Sequence, residues 1–314
     1  MDWTNRLRLR HLQILVSLAE TQNISHSAER LHMTQPALSK WLKELEADIG
    51  LTLFERHARG LRPTAHGQIL REFAVHIGNE LDRAREEMSA LRDGGAGRAV
   101  IGASGATIAG VVPQAVLSLL ASMPNASVEL VEAPMDRLFQ QLTQREIDIA
   151  VGRPAAKYHD PGIASEVLYE ERLHFAVRPD HPLAQRKTLQ WSHLQAQRWV
   201  VWTRDIPARD LLESALSAAG RTIPNASVQS NSLLATIALV AESDMVAVVS
   251  ERAIELPERW KMLKRLPLLL ETPSAMTMYW RKDARGFAAV DGLLDALRKV
   301  ARQPPRTNRL KNRP

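Results

Sequence analysis

The sequence contains no cysteine. Disulfides, thiol nucleophiles and cysteine-based zinc sites are therefore excluded, and a reducing compartment is a consistent setting. Long hydrophobic runs are missing as well. Stretches such as Met245–Val249 and Leu268–Leu270 fall far short of the ~20 apolar residues that span a bilayer. The opening MDWTNRLRLRHL is interrupted by arginines and has no signal-peptide core. The expected location is the cytoplasm, with no membrane partner. Catalytic and metal signatures are also wanting. The ten histidines form no metal-binding spacing, and no His-Glu-x-x-His is found. Gly102-Ala103-Ser104-Gly105-Ala106 lacks the Lys-Ser/Thr of a phosphate loop and the frame of a nucleophile elbow. No enzyme activity and no cofactor are expected.

Acidic residues are absent from Arg298 to Pro314, where seven basic residues lie. Taking those seven from the 41 basic residues leaves 34 against 35 acidic ones. The net charge of +6 is thus a property of the tail and not of the globular part. That tail is read as a disordered, solvated segment or as a non-specific DNA contact. Basicity by itself does not identify a nucleic-acid binder.

What is present is organised. In a chain of 314 residues with 45% apolar and 24% charged residues, two or three globular domains are expected. Leu9, Leu12, Val16 and Ala19 repeat at helical spacing and predict a first helix over about 7–20. Asn23 caps a short helix from Ile24 to Leu31, and Thr34 caps a third with Pro36 in its first turn. Leu38, Leu42, Leu45 and Ile49 line one face of that third helix. Two helices joined by a three-residue turn have the proportions of a helix-turn-helix. The outward residues of its second helix are Gln35, Ser39, Lys40 and Lys43. Glutamine suits adenine, lysine suits guanine or phosphate, and serine suits either.

The stretch Ala28–Gly67, AERLHMTQPALSKWLKELEADIGLTLFERHARGLRPTAHG, resembles the winged helix-turn-helix of LysR-type regulators almost residue for residue. The resemblance implies a DNA reader of Thr34, Gln35, Pro36, Ser39, Lys40 and Lys43. It also implies a wing turning over Arg56–Leu61, with Arg56, Arg59 and Arg62 near phosphates that supply affinity and register. Trp41 departs from the family pattern; it packs on the helix pair or reaches a thymine methyl.

Thr64 stands at an N-cap position before a long helix running to about Arg92. Leu70, Ile77, Ala84 and Leu91 form one heptad series, and Ala74, Leu81 and Met88 the other. Alternating steps of four and three make a coiled-coil seam, although a helix lying on its own domain shows the same stripe. With the family resemblance the reading is a homodimer or homotetramer, which suits paired DNA half-sites. Asp93-Gly94-Gly95-Ala96-Gly97 then serves as a hinge.

From Ala99 the texture changes. AVIGAS, SVELVEA and IDIAVG read as strands, separated by helices near 111–121 and 135–143. RLHFAVR, RWVVW and MVAVVS follow with helices over 208–219 and 232–241, and TMYWRKD leads into a last helix over 287–301. This alternation implies βαβ units, parallel sheets and a ligand cleft at the strand ends. The order, with IDIAVG, RPDHPLA and SLLATIALVAESDMVAVVSE, resembles the LysR effector domain, which is itself similar to periplasmic binding proteins. By position the cleft would be lined by Ser104, Gly105 and Thr107, by Arg153, by Trp202, Thr203 and Arg204, and by Asn231 and Ser232.

The expected fold class is multi-domain α/β. An N-terminal all-α winged helix-turn-helix (1–64) is followed by a linker and dimerisation helix (65–92) and a hinge (93–97). Two Rossmann-like subdomains of periplasmic-binding-protein type (98–303) come next, the first over 98–168 and 270–303 and the second over 169–269. A basic tail (304–314) ends the chain. The expected function is transcriptional activation, repression or both, through double-stranded operator DNA. A small-molecule effector (a sugar, an organic acid or an aromatic acid) modulates it, and RNA polymerase is a further partner.

Overall fold

The computed structural model describes residues 3–57, 60–92, 95–155, 157–204, 206–223 and 226–304. Of the expected features, Arg59, the hinge residues Asp93 and Gly94, and the tail from residue 305 onward lie outside the described residues. The chain divides into two compact units, Met1–Ser89 and Ala90–Pro314.

The first unit opens with helices α1 (Leu9–Thr21), α2 (Ile24–Arg30) and α3 (Gln35–Ile49). A two-stranded antiparallel hairpin, β1 (Phe54–His57) with β2 (Gly60–Pro63), follows. The segment read as all-α therefore carries a β wing. The long helix α4 (Ala65–Arg92) comes last. Local chemistry sets the helix starts. Asn23 Oδ1 accepts from the Ser25 and His26 amides at 2.9 and 3.2 Å, which satisfies donors no helical carbonyl reaches. Thr64 Oγ1 accepts from the Gly67 amide and donates to the Thr52 carbonyl, so it opens α4 and ties it to the segment before the wing. Leu12, Leu15, Leu18, Leu38, Leu42, Phe54, Leu61 and Ala74 make one buried core. Trp41 packs against that core and sits 5.1 Å from the His11 ring.

In the second unit β3 (Arg98–Ala103) is followed by α5 (Gly105–Ile108), α6 (Val111–Ser122), β4 (Ser127–Glu132), α7 (Met135–Thr143) and β5 (Ile149–Gly152). Next come β6 (Ile163–Val177), α8 (Trp191–Gln195), β7 (Trp199–Val201), α9 (Pro207–Ala218) and β8 (Ala226–Gln229). The remainder is α10 (Leu233–Ala241), β9 (Val246–Ser250), α11 (Glu255–Arg259), β10 (Lys264–Arg281) and α12 (Ala288–Ala301). The strands join in the order β4-β3-β5-β10-β6-β9-β7-β8. This corrects the expectation of two separate parallel sheets. Within each lobe the neighbouring short strands are parallel. The long strands β6 and β10 pair antiparallel through both lobes, with register shifts between Arg265 and Leu269 and between Leu270 and Ser274. Sequence periodicity found only the lobe-II half of β6, because no residue of its first half, IASEVLYEE, is buried before Glu171 and its apolar and charged residues follow no regular two-residue alternation.

Each lobe keeps its own core. Lobe I buries Ile101, Val112, Leu119, Val151, Leu293 and Leu297 between β3, β5, α6 and α12. Lobe II buries Phe175, Trp199, Leu212 and Val248, and Phe175, Trp191 and Trp199 meet edge-on or tilted at 5.5–6.1 Å. Side chains of this size each contribute about 1.5–3 kcal/mol when fully buried. Two cores joined by two crossing strands leave a cleft between the lobes.

Candidate functional site

Two surfaces stand out, one in each unit. In the first, the N-terminal end of α3 projects Gln35, Pro36, Lys40 and Lys43 into solvent, with Ser39 half-buried beside them. Thr34 Oγ1 accepts from the Ala37 amide at 3.4 Å, and Gln35 Nε2 donates to Ser39 Oγ at 3.0 Å. Lys40 stands 3.8 Å from Glu44, an exposed pair of little energetic weight, so the lysine is readily available to an anion. The wing is fixed to this helix by Glu46, whose Oε1 accepts from the Leu53 and Phe54 amides at 2.7 and 3.0 Å. Its far strand is fixed to the end of α1, where the Leu61 amide donates to the Gln22 carbonyl at 2.7 Å. Gly60 allows that approach: its φ is +133°, and a Cβ there would lie 2.4 Å from the Gln22 oxygen.

Arg56 and Arg62 are both exposed on the wing. Arg56 is paired with Leu61 and Arg62 with Glu55, so alternation puts the two arginines on opposite faces of the hairpin. Neither Glu46 nor Gly60 was singled out from sequence. A Gly following a basic turn was a usable signal for the latter.

The stripe on α4 differs from the heptad reading. Ala74 is 2% exposed within the unit's own core, and Leu70 packs beside it. Ile77, Leu81, Ala84 and Met88 are exposed, and the side chain of Leu91 lies outside the described residues. The sequence reading missed Ile69 and Phe73, which are 55% and 60% exposed. Ile69, Phe73, Ile77 and Leu81 recur every four residues, and that spacing was the available signal. They border a groove of 760 Å³ also lined by Trp3, Leu7 and Leu51.

In the second unit a cavity of 350 Å³ opens at the C-terminal ends of the strands, at the low end of the ~300–1,000 Å³ usual for small-molecule sites. Ser104 follows β3, Glu132 ends β4, Arg153 follows β5, Trp202 follows β7 and Ser250 ends β9; all line it. The first residues of α7, α9 and α10 (Met135, Pro207 and Leu233) line it too, and helix N-termini present unpaired amides and a positive dipole end. Close packing shapes the rim: a Cβ on Gly152 would sit 2.4 Å from Met135 Sδ.

Of the residues carried over by resemblance, Ser104, Gly105, Arg153, Trp202, Asn231 and Ser232 line the cavity. Thr107, Thr203 and Arg204 do not line it. Thr107 is fully buried and its hydroxyl donates to the Val151 carbonyl at 2.8 Å, bracing the turn that carries Ser104. Arg204 points to solvent. Arg209 was missed; its Nη1 donates to the Trp202 carbonyl at 3.2 Å, which holds the lobe-II rim.

The floor is ionic. Arg153 is 6% exposed and Glu171 3%. Arg153 Nη2 donates to Glu171 Oε1 at 3.0 Å and to Ser250 Oγ at 2.8 Å. Arg153 Nη1, Glu171 Oε2 and Tyr169 Oη have no hydrogen-bond partner. Burial pushes the Glu171 carboxyl above its ordinary range against the pull of Arg153. Burial likewise draws the guanidinium below its own, although arginine keeps its proton in proteins. Burial also raises the Tyr169 phenol, so it stays a neutral donor. Beneath them Arg252 stacks 4.2 Å over the Tyr169 ring and donates to the Ala301 and Gln303 carbonyls.

A helix-turn-helix with a wing, joined by a long helix to a two-lobed α/β module with an interlobe cleft, defines the class of ligand-sensing DNA-binding regulators. Two family profiles match the chain: "Bacterial regulatory helix-turn-helix protein, lysR family" over residues 9–68 and "LysR substrate binding domain" over residues 92–302. The chain belongs to the LysR family of transcriptional regulators. It is 33% identical over 295 residues to the regulator GalR of Pseudomonas putida, covering 93% of this chain and 73% of that one. It is 28% identical over 300 residues to PcaQ of Agrobacterium fabrum, covering 94% and 96%. Among solved structures, the LysR family regulator CbnR aligns with a TM-score of 0.71 at 23% identity, covering 95% of this chain and 100% of that one. No described helix is long and apolar enough to cross a membrane.

Proposed function

We propose that the first unit reads operator DNA by laying the start of α3 in the major groove. Gln35, Ser39, Lys40 and Lys43 would face base edges, and the capped turn at Thr34 and Pro36 would set the helix's entry. Arg56, Arg59 and Arg62 would flank the phosphates. The observation that carries this reading is the exposed polar face at the start of α3, braced to the wing through Glu46. The hairpin register favours one wing arginine at a time on the backbone.

The cleft of the second unit is the proposed effector site, with Ser104, Gly105, Arg153, Trp202, Asn231 and Ser232 in contact and Thr107 bracing them. A ligand shifts the DNA-bound arrangement only as far as it prefers one state over the other. The exposed stripe Ile69–Phe73–Ile77–Leu81–Met88 supports a homodimer or homotetramer through α4, since apolar surface of this extent marks an association face. In this reading the chain acts in the cytoplasm, catalyses no reaction and meets RNA polymerase at the promoter.

The test is selection from random duplex DNA at moderate salt, then footprinting and a reporter response. A preferred dyad sequence is expected. Gly105→Trp fills the cleft: a Cβ there meets only Glu132 Oε1 at 3.5 Å and Leu233 Cβ at 3.9 Å. It should keep the sequence preference and lose the metabolite response. DNA binding without sequence preference sinks the reader assignment; an unaltered response in Gly105→Trp sinks the cleft assignment.

A further inference from the structure

We infer that Arg252, with Arg153 opposite it, is a positioning residue that bolts the two lobes together and fixes the width of the cleft before any ligand enters. The sheet alone does not hold the lobes at one angle. They are joined through β6 and β10, and the pairing of these strands slips at the crossing point. Leu270 pairs with Leu173 and Ser274 with Glu171, with a register shift between the two pairs. An interrupted ladder is a place where strands bend.

Arg252 lies in the turn after β9, between Ser250 and Ala253, both of which line the cavity. It is 8% exposed, yet its side chain leaves lobe II. Its Nη2 donates to the Ala301 and Gln303 carbonyls, each at 2.9 Å, so both hydrogens of that nitrogen serve the C-terminal end of α12. Carbonyls at a helix end lack helical partners and carry the negative end of the dipole, which suits a buried cation. The guanidinium also stacks 4.2 Å from the Tyr169 ring centroid, and Tyr169 packs on the lobe-I core. The backbone comes equally close. A Cβ on Gly110, just before α6 in lobe I, would lie 3.2 Å from Arg252 Cβ.

A second bolt runs the other way. Arg153, following β5 of lobe I, donates through Nη2 to Ser250 Oγ of lobe II at 2.8 Å and to Glu171 at 3.0 Å. Tyr169 and Glu171 are two residues apart on β6 and share one face of it, so the two arginines cross that face from opposite lobes. Charge-assisted hydrogen bonds of this kind are the strong ones. A ligand therefore meets a cleft of preset width and moves the lobes only as far as its own contacts exceed these.

The full-length protein is spin-labelled at Gln140→Cys on α7 and Ser214→Cys on α9. Both positions are exposed, on helices whose first residues border the cleft from the two lobes, and the chain has no cysteine of its own. Dilution with unlabelled chain leaves at most one labelled copy per oligomer, and pulsed dipolar spectroscopy reads the interlobe distance with no ligand added. The parent protein should give one narrow distance. Arg252→Met keeps the apolar stem and loses the donors, so the fraction of chains at a longer distance should rise about tenfold or more. Arg252→Lys still places a cation at the α12 carbonyls and should restore most of the narrow population. Urea unfolding of the same samples separates bolting from capping: lower stability with an unchanged distance means that Arg252 only caps α12, and overturns the inference. Ser250→Ala cuts the opposite bolt by a single hydroxyl and decides the matter if Arg252→Met does not fold. It should broaden the distance, and an unchanged distribution overturns the inference, as do two populated distances in the parent protein. Because no ligand is used, any of these failures leaves the effector assignment of the cleft standing.

Discussion

His174 makes the second unit acid-sensitive by an amount that the structure sets. It lies in β6 opposite Val249 of β9 and Leu269 of β10, 6% exposed, with neither ring nitrogen hydrogen-bonded. Glu251 is 4.0 Å away. Burial, reinforced by the Arg265 charge and only partly opposed by Glu251, lowers its pKa to about 4. An unfolded histidine titrates near 6.5. Above pH ~6.5 both states are neutral and the residue has no effect. As pH falls below that, the unfolded chain takes up a proton the folded one refuses, so stability declines until the folded ring also titrates near 4. Linkage gives a loss of about 2 kcal/mol between pH 7.5 and 5, and about 3 kcal/mol once pH 4 is passed.

Urea unfolding followed by tryptophan fluorescence at pH 7.5, 6.5, 5.5 and 5 reads this directly. Five of the seven tryptophans (Trp191, Trp199, Trp202, Trp260 and Trp280) lie in the second unit. His174→Gln removes the titration while other groups continue to titrate in both proteins. The difference between wild-type and variant should therefore shift by about 2 kcal/mol over that range. Parallel curves, or a wild-type that gains on the variant as the pH falls, would refute the reasoning.

Gly60→Ala forces a Cβ against the Gln22 carbonyl at a positive φ and should destabilise the first unit by about 1–3 kcal/mol, measured by unfolding and by loss of DNA affinity; a neutral substitution would mean that the wing is not fixed to α1. Arg62→Ala should weaken binding to all duplexes alike and lower the salt slope by about 1, whereas Gln35→Ala should relax preference at one base position at a cost of about 1–3 kcal/mol; exchanged phenotypes in binding-site selection would reverse the two roles. Ile77→Glu with Leu81→Glu puts charge on residues 44% and 46% exposed, so folding should persist while sedimentation shifts toward monomer; an unchanged oligomer would put the interface elsewhere.

The helix-turn-helix was readable because its determinants are local. Asn23 and Thr34 cap helices using amides two or three residues away, and Leu38, Leu42 and Leu45 make a face at fixed spacing. The α4 stripe was only half legible. Spacing identifies an apolar face, but which side of it meets the domain's own core depends on where α1 and the wing lie. Hence Ala74 turned inward while Ile69 and Phe73 turned outward.

In the cleft, residues at strand ends such as Ser104 and Arg153 followed from the alternation and the family pattern. Glu171 did not, since a glutamate within YEERLH looks like any solvated strand residue. Only the antiparallel pairing of β6 with β10 and β9 buries it and sets it 3.0 Å from Arg153. Sequence by itself determined the order of elements, the capped reader, the family and the strand ends that border a cavity, because these rest on contacts within a few residues or on motifs kept contiguous. Tertiary structure alone decided which charges face one another across 18 residues and which apolar residues remain outside, because burial and Coulomb partners are set by elements distant in the chain.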